Sequence, residues 1–218
     1  MASIYLANNI SDIEGDKINP NKINKNILVK KHIDARLLNL LLLTLIFFSI
    51  TYSFTLHPIG QAIYIISLLL GIFYSLKPLR FKEKPFLDLL SHSIFFGIGL
   101  FLFSSQFNLN FKTILIILII ATYSIILELR NEIEDYEYDK NAGYNTTIVS
   151  IGLNNGIFFV NFLLLVMLIE FALLYENMLL KIFSISLIFI LYLFRKNFNK
   201  MVRIFDIIFI FLLTLTLI

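Results

Sequence analysis

Long apolar runs separated by short polar stretches make up most of the chain. A helix that crosses a bilayer needs about 20 mostly apolar residues, and seven runs approach or reach that length. The runs are Leu37 to Leu56, Ile59 to Leu76, Phe86 to Phe107, Thr113 to Leu129, Gly156 to Tyr175, Met178 to Phe194 and Ile204 to Ile218. The pattern predicts an all-α protein, a polytopic membrane helical bundle with about seven transmembrane helices, in which residues 1–218 form a single transmembrane domain.

The composition agrees with this prediction. Hydrophobic residues account for 58% of the chain and charged residues for 15%, whereas about a quarter of the residues of a soluble protein are charged. The sequence contains no Cys, which excludes a disulfide framework, a thiolate nucleophile and a cysteine-based metal site. We therefore expect an integral, multi-pass membrane protein that is surrounded by membrane lipids.

The basic residues are divided unequally between the two sets of loops. Sixteen of the 18 Lys and Arg residues lie before the first run or after the second, fourth and sixth runs, and only Lys112 and Lys181 lie in the other loops. Cytoplasmic loops collect Lys and Arg, so the N-terminal segment is predicted to be cytoplasmic. Because the net charge of +3 is dispersed in these loops, it does not indicate nucleic-acid binding.

Two polar motifs lie at the ends of predicted spans. The first places three side chains at i, i+4 and i+8, and the second at i, i+3 and i+7, so each set forms one stripe on a helix. The two sets are Asn8, Asp12 and Asp16, and Glu132, Asp135 and Asp139. Four predicted spans separate the motifs, and an even number returns the chain to the same face. Both stripes are therefore predicted to lie on the cytoplasmic face, where they can meet.

Two groups of carboxylates that meet would repel each other unless a cation lies between them. Hard oxygen ligands without Cys or clustered His favour Mg²⁺. Protein-bound Mg²⁺ usually keeps one or two carboxylates and completes its shell with water and phosphate oxygens. The paired stripes therefore predict Mg²⁺ ions that bind a diphosphate.

Three segments together resemble the UbiA superfamily of intramembrane prenyltransferases. They are NNISDIEGDKINPNK from Asn8, YSLKPLRFKEKPFLDLLSHS from Tyr74 and ELRNEIEDYEYDKNAGYNTT from Glu128. The resemblance implies a helical bundle with a central cavity, in which Mg²⁺ held by both acidic motifs binds an isoprenyl diphosphate. It also implies transfer of the prenyl chain to a hydrophobic acceptor: an aromatic compound, a quinone precursor, a porphyrin-type ring or a lipid.

On this basis each candidate residue has an expected role. Asp12, Asp16, Asp135 and Asp139 are expected to be catalytic as metal ligands, with Asn8 and Glu132 completing the metal-binding set. Lys22, Lys77, Arg80 and Lys82 are candidates for binding the diphosphate. Tyr74 and Ser75 are expected to line the substrate pocket, where an aromatic face stabilises an allylic cation by about 0.5 to 2 kcal/mol.

The sequence departs from the family pattern in three places. Asn9 stands where the family usually has Asp, and Glu132 is the first acid of the second motif. Only Met1 to Ala7 precede the first motif, whereas the family reaches it from its second helix. We therefore expect an N-terminally short member. A non-catalytic remnant or fragment, or a cation transporter with carboxylates at the membrane edge, are the alternative interpretations.

Overall fold

The computed structural model describes residues 2–17, 20–30, 33–104, 109–193 and 198–216, and every regular element within these ranges is a helix. The prediction of an all-α protein is thereby confirmed. The first four helices are α1 (Ala2–Ser11), α2 (Ile13–Asp16), α3 (Pro20–Ile23) and α4 (Ile27–Lys30). They are followed by α5 (Ala35–Ser53), α6 (Pro58–Ser75), α7 (Leu87–His92), α8 (Gly99–Ser104), α9 (Phe111–Ala142), α10 (Thr147–Ile151), α11 (Leu153–Leu174), α12 (Met178–Leu193) and α13 (Phe198–Leu215).

Helix α9 lies at the centre of the fold. Its residues Ile119, Ile126 and Leu129 are almost completely buried, and they belong to a core that includes Val160 and Met167 of α11. Asn110 caps the helix by accepting a hydrogen bond from the Thr113 amide, and Gly143, with φ of 74°, ends it. Because Gly has no Cβ, it adopts this left-handed conformation without strain.

The fourth predicted run, Thr113 to Leu129, is much shorter than the helix that contains it. Helix α9 has 32 residues and continues through the second acidic motif to Ala142. Hydropathy marks only the apolar part of a helix, whereas the polar part is stabilised here by packing against α7 and α10. The extension carries the acidic stripe beyond the apolar section of the helix.

The third predicted run, Phe86 to Phe107, does not form a single α-helix. A π-helical segment, Ser93–Ile98, separates α7 from α8, and the end of the run lies outside the described residues. Gly97 lies against Ile120 and Ser124 of α9, where an added Cβ would approach their side chains to 3.3 Å. A π turn shifts the register of a helix and is frequent at functional sites.

The number of seven transmembrane helices is not confirmed. Among the described residues, four helices are long and apolar enough to cross a membrane: α5, α6, α9 and α11. The described parts of the last two predicted runs contain shorter apolar stretches, Met178–Leu187 and Ile204–Leu215. The π-helical segment divides the third run, and the last two runs lie only partly within the described residues.

The orientation of the bundle gives the first testable prediction. Single cysteines at Lys25 and Glu137 should react with an impermeant thiol reagent from the cytoplasmic side, because basic loops stay on that side. Cysteines at His57 and Glu176 should react only from the other side. All four positions are exposed and the sequence has no native Cys. Labelling of positions 25 and 137 from opposite sides would contradict the predicted topology.

Candidate active site between two acidic motifs

A cavity of about 1050 Å³ lies where the N-terminal helices, the connection after α6 and the polar end of α9 come together. Eleven of the twelve residues predicted from the sequence line it. They are Asn8, Asp12, Asp16, Lys22, Tyr74, Ser75, Arg80, Lys82, Glu132, Asp135 and Asp139. The twelfth, Lys77, is exposed and lies outside this lining, so the structure gives its predicted role no support.

The first motif keeps its helical spacing although α1 ends at Ser11. Backbone hydrogen bonds from Asp12 to Asn8 and from Asp16 to Asp12 carry the i, i+4 register across the break. Helix α1 packs against α5 and α6, and Ser75 at the end of α6 donates a hydrogen bond to the Asn8 side chain at 3.2 Å. The polar stripe of the first motif is therefore fixed to the end of an apolar helix.

Lys82 lies against the first motif. Its ammonium group forms an ion pair with Asp12 and donates hydrogen bonds to Asn8 Oδ1 at 3.2 Å and Ser11 Oγ at 3.1 Å. Burial lowers the pKa of Lys82, and the Asp12 carboxylate opposes that effect. A buried ammonium is costly unless it is paired, so Lys82 is held at the cavity by the charge of the first motif.

Arg80 reaches the same carboxylate from a left-handed backbone conformation. Its φ is 38°, and its guanidinium lies 3.6 Å from Asp12 and 2.7 Å from Glu83. The guanidinium also lies over the ring of Tyr144, 5.3 Å from the centroid. A non-glycine residue in this region costs of order 1–3 kcal/mol and persists where the surroundings hold it in place. Neither the left-handed conformation of Arg80 nor its contact with the Tyr144 ring was predictable from the local sequence.

Lys22 connects the two motifs. Its Nζ lies 2.6 Å from Asp135 Oδ2. Burial alone would lower the pKa of Lys22, but the hydrogen bond and charge of Asp135, together with the charges of Asp139 and Asp16, raise it. Lys22 thus lies in the field of carboxylates from both motifs, which are 119 residues apart between Asp16 and Asp135.

Asp16 differs from Asp12 in having a neutral partner. The buried Asn26 donates a hydrogen bond to Asp16 Oδ2 at 2.9 Å and another to the Asn9 carbonyl at 2.9 Å. Burial raises the pKa of Asp16, although the Asn26 amide lowers it. Asn26 therefore orders the end of the first motif, a role that the sequence did not indicate because it lies ten residues further along the chain.

Glu132 is the most enclosed of the six predicted metal ligands. It is 5% exposed, and its Oε2 accepts a hydrogen bond from the Ile148 amide at 2.8 Å. Beside it, the fully buried Asp88 accepts hydrogen bonds from the Thr147 amide and hydroxyl at 2.8 and 2.6 Å. Both carboxyl groups thus receive donors from the start of α10, and the remaining oxygen of Glu132, Oε1, is buried.

The membrane end of the cavity contains a polar group that sequence reasoning missed. Glu128 accepts a hydrogen bond from the hydroxyl of Tyr74, and His92 Nε2 lies 3.6 Å from its other oxygen. His92 also contacts Ser124 Oγ at 3.0 Å. His92 is not clustered with other His residues in the sequence, yet it lines the cavity. The sequence did indicate the position of Glu128, because Glu128 lies on the same helical stripe as Asp135, seven residues before it.

The oxygen donors of the cavity are distributed over two walls. Among the described residues, no group of three or more His, Asp or Glu side chains converges as a preformed cage. Instead a carboxylate on each wall pairs with an ammonium group, Asp12 with Lys82 and Asp135 with Lys22. Oxygen donors on two walls suit an ion that completes its shell with water and phosphate. The residues present therefore fit Mg²⁺.

Comparison with solved structures shows the fold. A UbiA homolog from Archaeoglobus fulgidus bound to GPP and Mg²⁺ is 18% identical with a TM-score of 0.71, and the match covers 100% of this chain and 82% of that chain. The homolog bound to DMAPP and Mg²⁺ is 20% identical with a TM-score of 0.67, over 92% of this chain and 72% of that chain. A comparison with curated proteins finds no match.

Comparison with protein families gives the relationship. The model of the UbiA prenyltransferase family matches residues 1–205, a range that contains both acidic motifs and every residue of the candidate site. The match confirms the resemblance that the three sequence segments indicated. The chain therefore belongs to the UbiA prenyltransferase family.

Proposed function

We propose that this protein transfers an isoprenyl chain from a prenyl diphosphate to a hydrophobic acceptor in the membrane and releases pyrophosphate. The observation that carries the proposal is the cavity itself, in which carboxylates of two distant motifs face each other with Lys22, Arg80 and Lys82 beside them. Such a mixture of anionic and cationic groups suits an anionic diphosphate that binds together with a divalent cation. The solved homolog binds GPP or DMAPP with Mg²⁺, which supports this ligand class.

The cationic side chains and the oxygen donors of the cavity have different roles in binding the diphosphate. Departure of the diphosphate places negative charge on its oxygens, and the side chains of Lys22, Arg80 and Lys82 donate hydrogen bonds to that charge at the mouth of the cavity. Asn8, Asp12, Asp135 and Asp139, with Asp16 as a further oxygen donor, would hold Mg²⁺, which would neutralise part of the charge on the diphosphate.

The prenyl chain requires the opposite environment. Phe95 and Tyr74 contribute aromatic walls with ring centroids 5.5 Å apart, and both line the cavity. An aromatic face next to the allylic carbon stabilises its developing positive charge by about 0.5 to 2 kcal/mol. Their position at the membrane end leaves the charged groups at the mouth for the diphosphate, so the ligand would lie with its apolar chain toward the bilayer.

The proposal is tested with the purified full chain in lipid vesicles. We expect geranyl diphosphate to release pyrophosphate when Mg²⁺ is present, to stop doing so in excess EDTA, and to recover when Mg²⁺ is restored. Binding of geranyl diphosphate should show the same dependence, because the charges of the ligand and of the carboxylates repel without a cation. If the protein neither binds nor turns over geranyl diphosphate with Mg²⁺, the proposed function is wrong.

A further inference from the structure

The carboxyl group of Glu128 lies deeper in the cavity than the two acidic motifs. Glu128 precedes Asp135 by seven residues on α9, which at 1.5 Å per residue places it about 10 Å further along the helix axis toward the membrane. The residue is only 8% exposed, yet it lines the same cavity. A carboxylate in this position is expensive to bury, and the binding of a diphosphate at the mouth does not use it.

The surroundings of Glu128 orient the carboxylate without neutralising it by a permanent cation. Tyr74 donates its hydroxyl hydrogen to Oε1, and His92 Nε2 lies 3.6 Å from Oε2. His92 is held in turn by Ser124 at 3.0 Å and by the Phe95 ring, with centroids 5.5 Å apart. Within the described ranges no Lys or Arg forms an ion pair with Glu128. An oriented carboxylate of this kind is suited to receive a proton.

We propose that Glu128 is the catalytic base for a hydroxyl-bearing acceptor, an alcohol or a phenol, and that Tyr74 and His92 are positioning residues; this inference rests on the proposed function. The acceptor oxygen forms a bond to C1 of the prenyl chain while the bond from C1 to the diphosphate oxygen breaks. The electron pair of the broken bond leaves with the diphosphate, and the hydroxyl proton passes to Glu128. The products are a prenyl ether, pyrophosphate and a protonated Glu128, which returns its proton to solvent.

The position of Glu128 along α9 supports this assignment. The carbon that reacts is attached to the diphosphate, so it lies just inside the level of Asp135 when the diphosphate is at the mouth. An acceptor that binds between this carbon and Glu128 lies on the side opposite the leaving group, and its hydroxyl group faces the carboxylate. Glu132, one turn nearer the mouth, is already bonded to the Ile148 amide, whereas Glu128 contacts the side chains of Tyr74 and His92.

The test measures binding and transfer separately in the full chain. Geranyl diphosphate is supplied with Mg²⁺, a long-chain alcohol and a phenol, with water as a third hydroxyl acceptor, and the ethers and geraniol are quantified by mass spectrometry. We expect Glu128→Gln to lower total geranyl transfer by about 10²-fold or more, while the Kd for geranyl diphosphate changes by less than about twofold. Glu128→Asp, which keeps a carboxylate, should recover part of the loss in kcat.

Glu170→Gln is the matched control. Glu170 is also a carboxyl group in a membrane-spanning helix that accepts a hydroxyl hydrogen bond, from Thr122 at 3.0 Å, but it does not line the cavity. Its transfer rate should stay at the wild-type level. Equal transfer by wild type and Glu128→Gln would overturn the inference, as would Mg²⁺-dependent binding without geranyl transfer by either protein. Loss of binding by the wild type would instead contradict the proposed function.

Tyr74→Phe provides a second variant in case Glu128→Gln does not fold. It keeps the ring that packs against Phe95 and removes only the hydroxyl that bonds Glu128. We expect kcat for transfer to fall about tenfold with little change in KM for geranyl diphosphate. A change confined to KM would assign Tyr74 to diphosphate binding and would contradict its role in positioning the base.

Discussion

Asp12→Ala and Asp135→Ala should each abolish Mg²⁺-dependent turnover of geranyl diphosphate. The two carboxylates lie on opposite walls of one cavity and both contact an ammonium group, so each wall presents a site for positive charge. Removal of either takes away a carboxylate proposed to hold the metal ion. A metal ion contributes several kcal/mol to stabilisation of charge in a reaction of this type, and at 1.36 kcal/mol per tenfold the expected loss is about 10³-fold.

The control for both variants is Glu137→Ala. Glu137 belongs to the second motif in sequence but is exposed and outside the cavity lining. Its removal should reduce turnover by less than about threefold, as expected for a surface charge. All three variants should insert into membranes equally, because the carboxylates are not needed for the apolar helices to span. Equal losses from the three variants would show that bulk negative charge, rather than ligand geometry, supports the reaction.

Gly71→Val should disable the site from a distance. Gly71 of α6 faces Ile4 of α1, and a Cβ at position 71 would come within 2.8 and 2.9 Å of Ile4 Cγ1 and Cγ2. Such contacts are too short to persist, so we expect α1 to be displaced, together with Asn8 near its end and Asp12 just beyond it. A displacement of about 1 Å in a catalytic group can cost about 10²-fold in rate. Turnover should fall accordingly, with weaker Mg²⁺ dependence.

The mechanism of this effect is checked by a second substitution at the same contact. Ile4→Ala removes the atoms that a larger residue at position 71 would meet, so the double variant should recover most of the turnover lost in Gly71→Val. Ile66→Val, at a position of α6 that is 53% exposed, should behave as wild type. Failure of Ile4→Ala to restore activity would show that Gly71 acts on α6 itself rather than through the position of α1.

Hydrophobic periodicity was sufficient to locate most of the bundle. The runs Leu37 to Leu56, Ile59 to Leu76 and Gly156 to Tyr175 correspond closely to α5, α6 and α11, because long apolar segments leave a helix as the way to satisfy their backbone groups in lipid. The same reasoning failed between Phe86 and Phe107, where a π-helical segment interrupts the helix. Hydropathy does not reveal a π-helical segment, because the formation of such a segment depends on side-chain packing with a neighbouring helix.

The two acidic stripes were also readable from the sequence, because helical spacing alone places i, i+4 and i, i+3 residues on one face. Which side chains complete the cavity was decided by tertiary structure. Lys22 meets Asp135, Arg80 reaches Asp12 from a left-handed conformation, and Tyr74 bonds Glu128. These partners are 54 to 113 residues apart. Local sequence determines the faces of helices, whereas contacts over such separations depend on how the helices pack, and packing is a property of the whole chain.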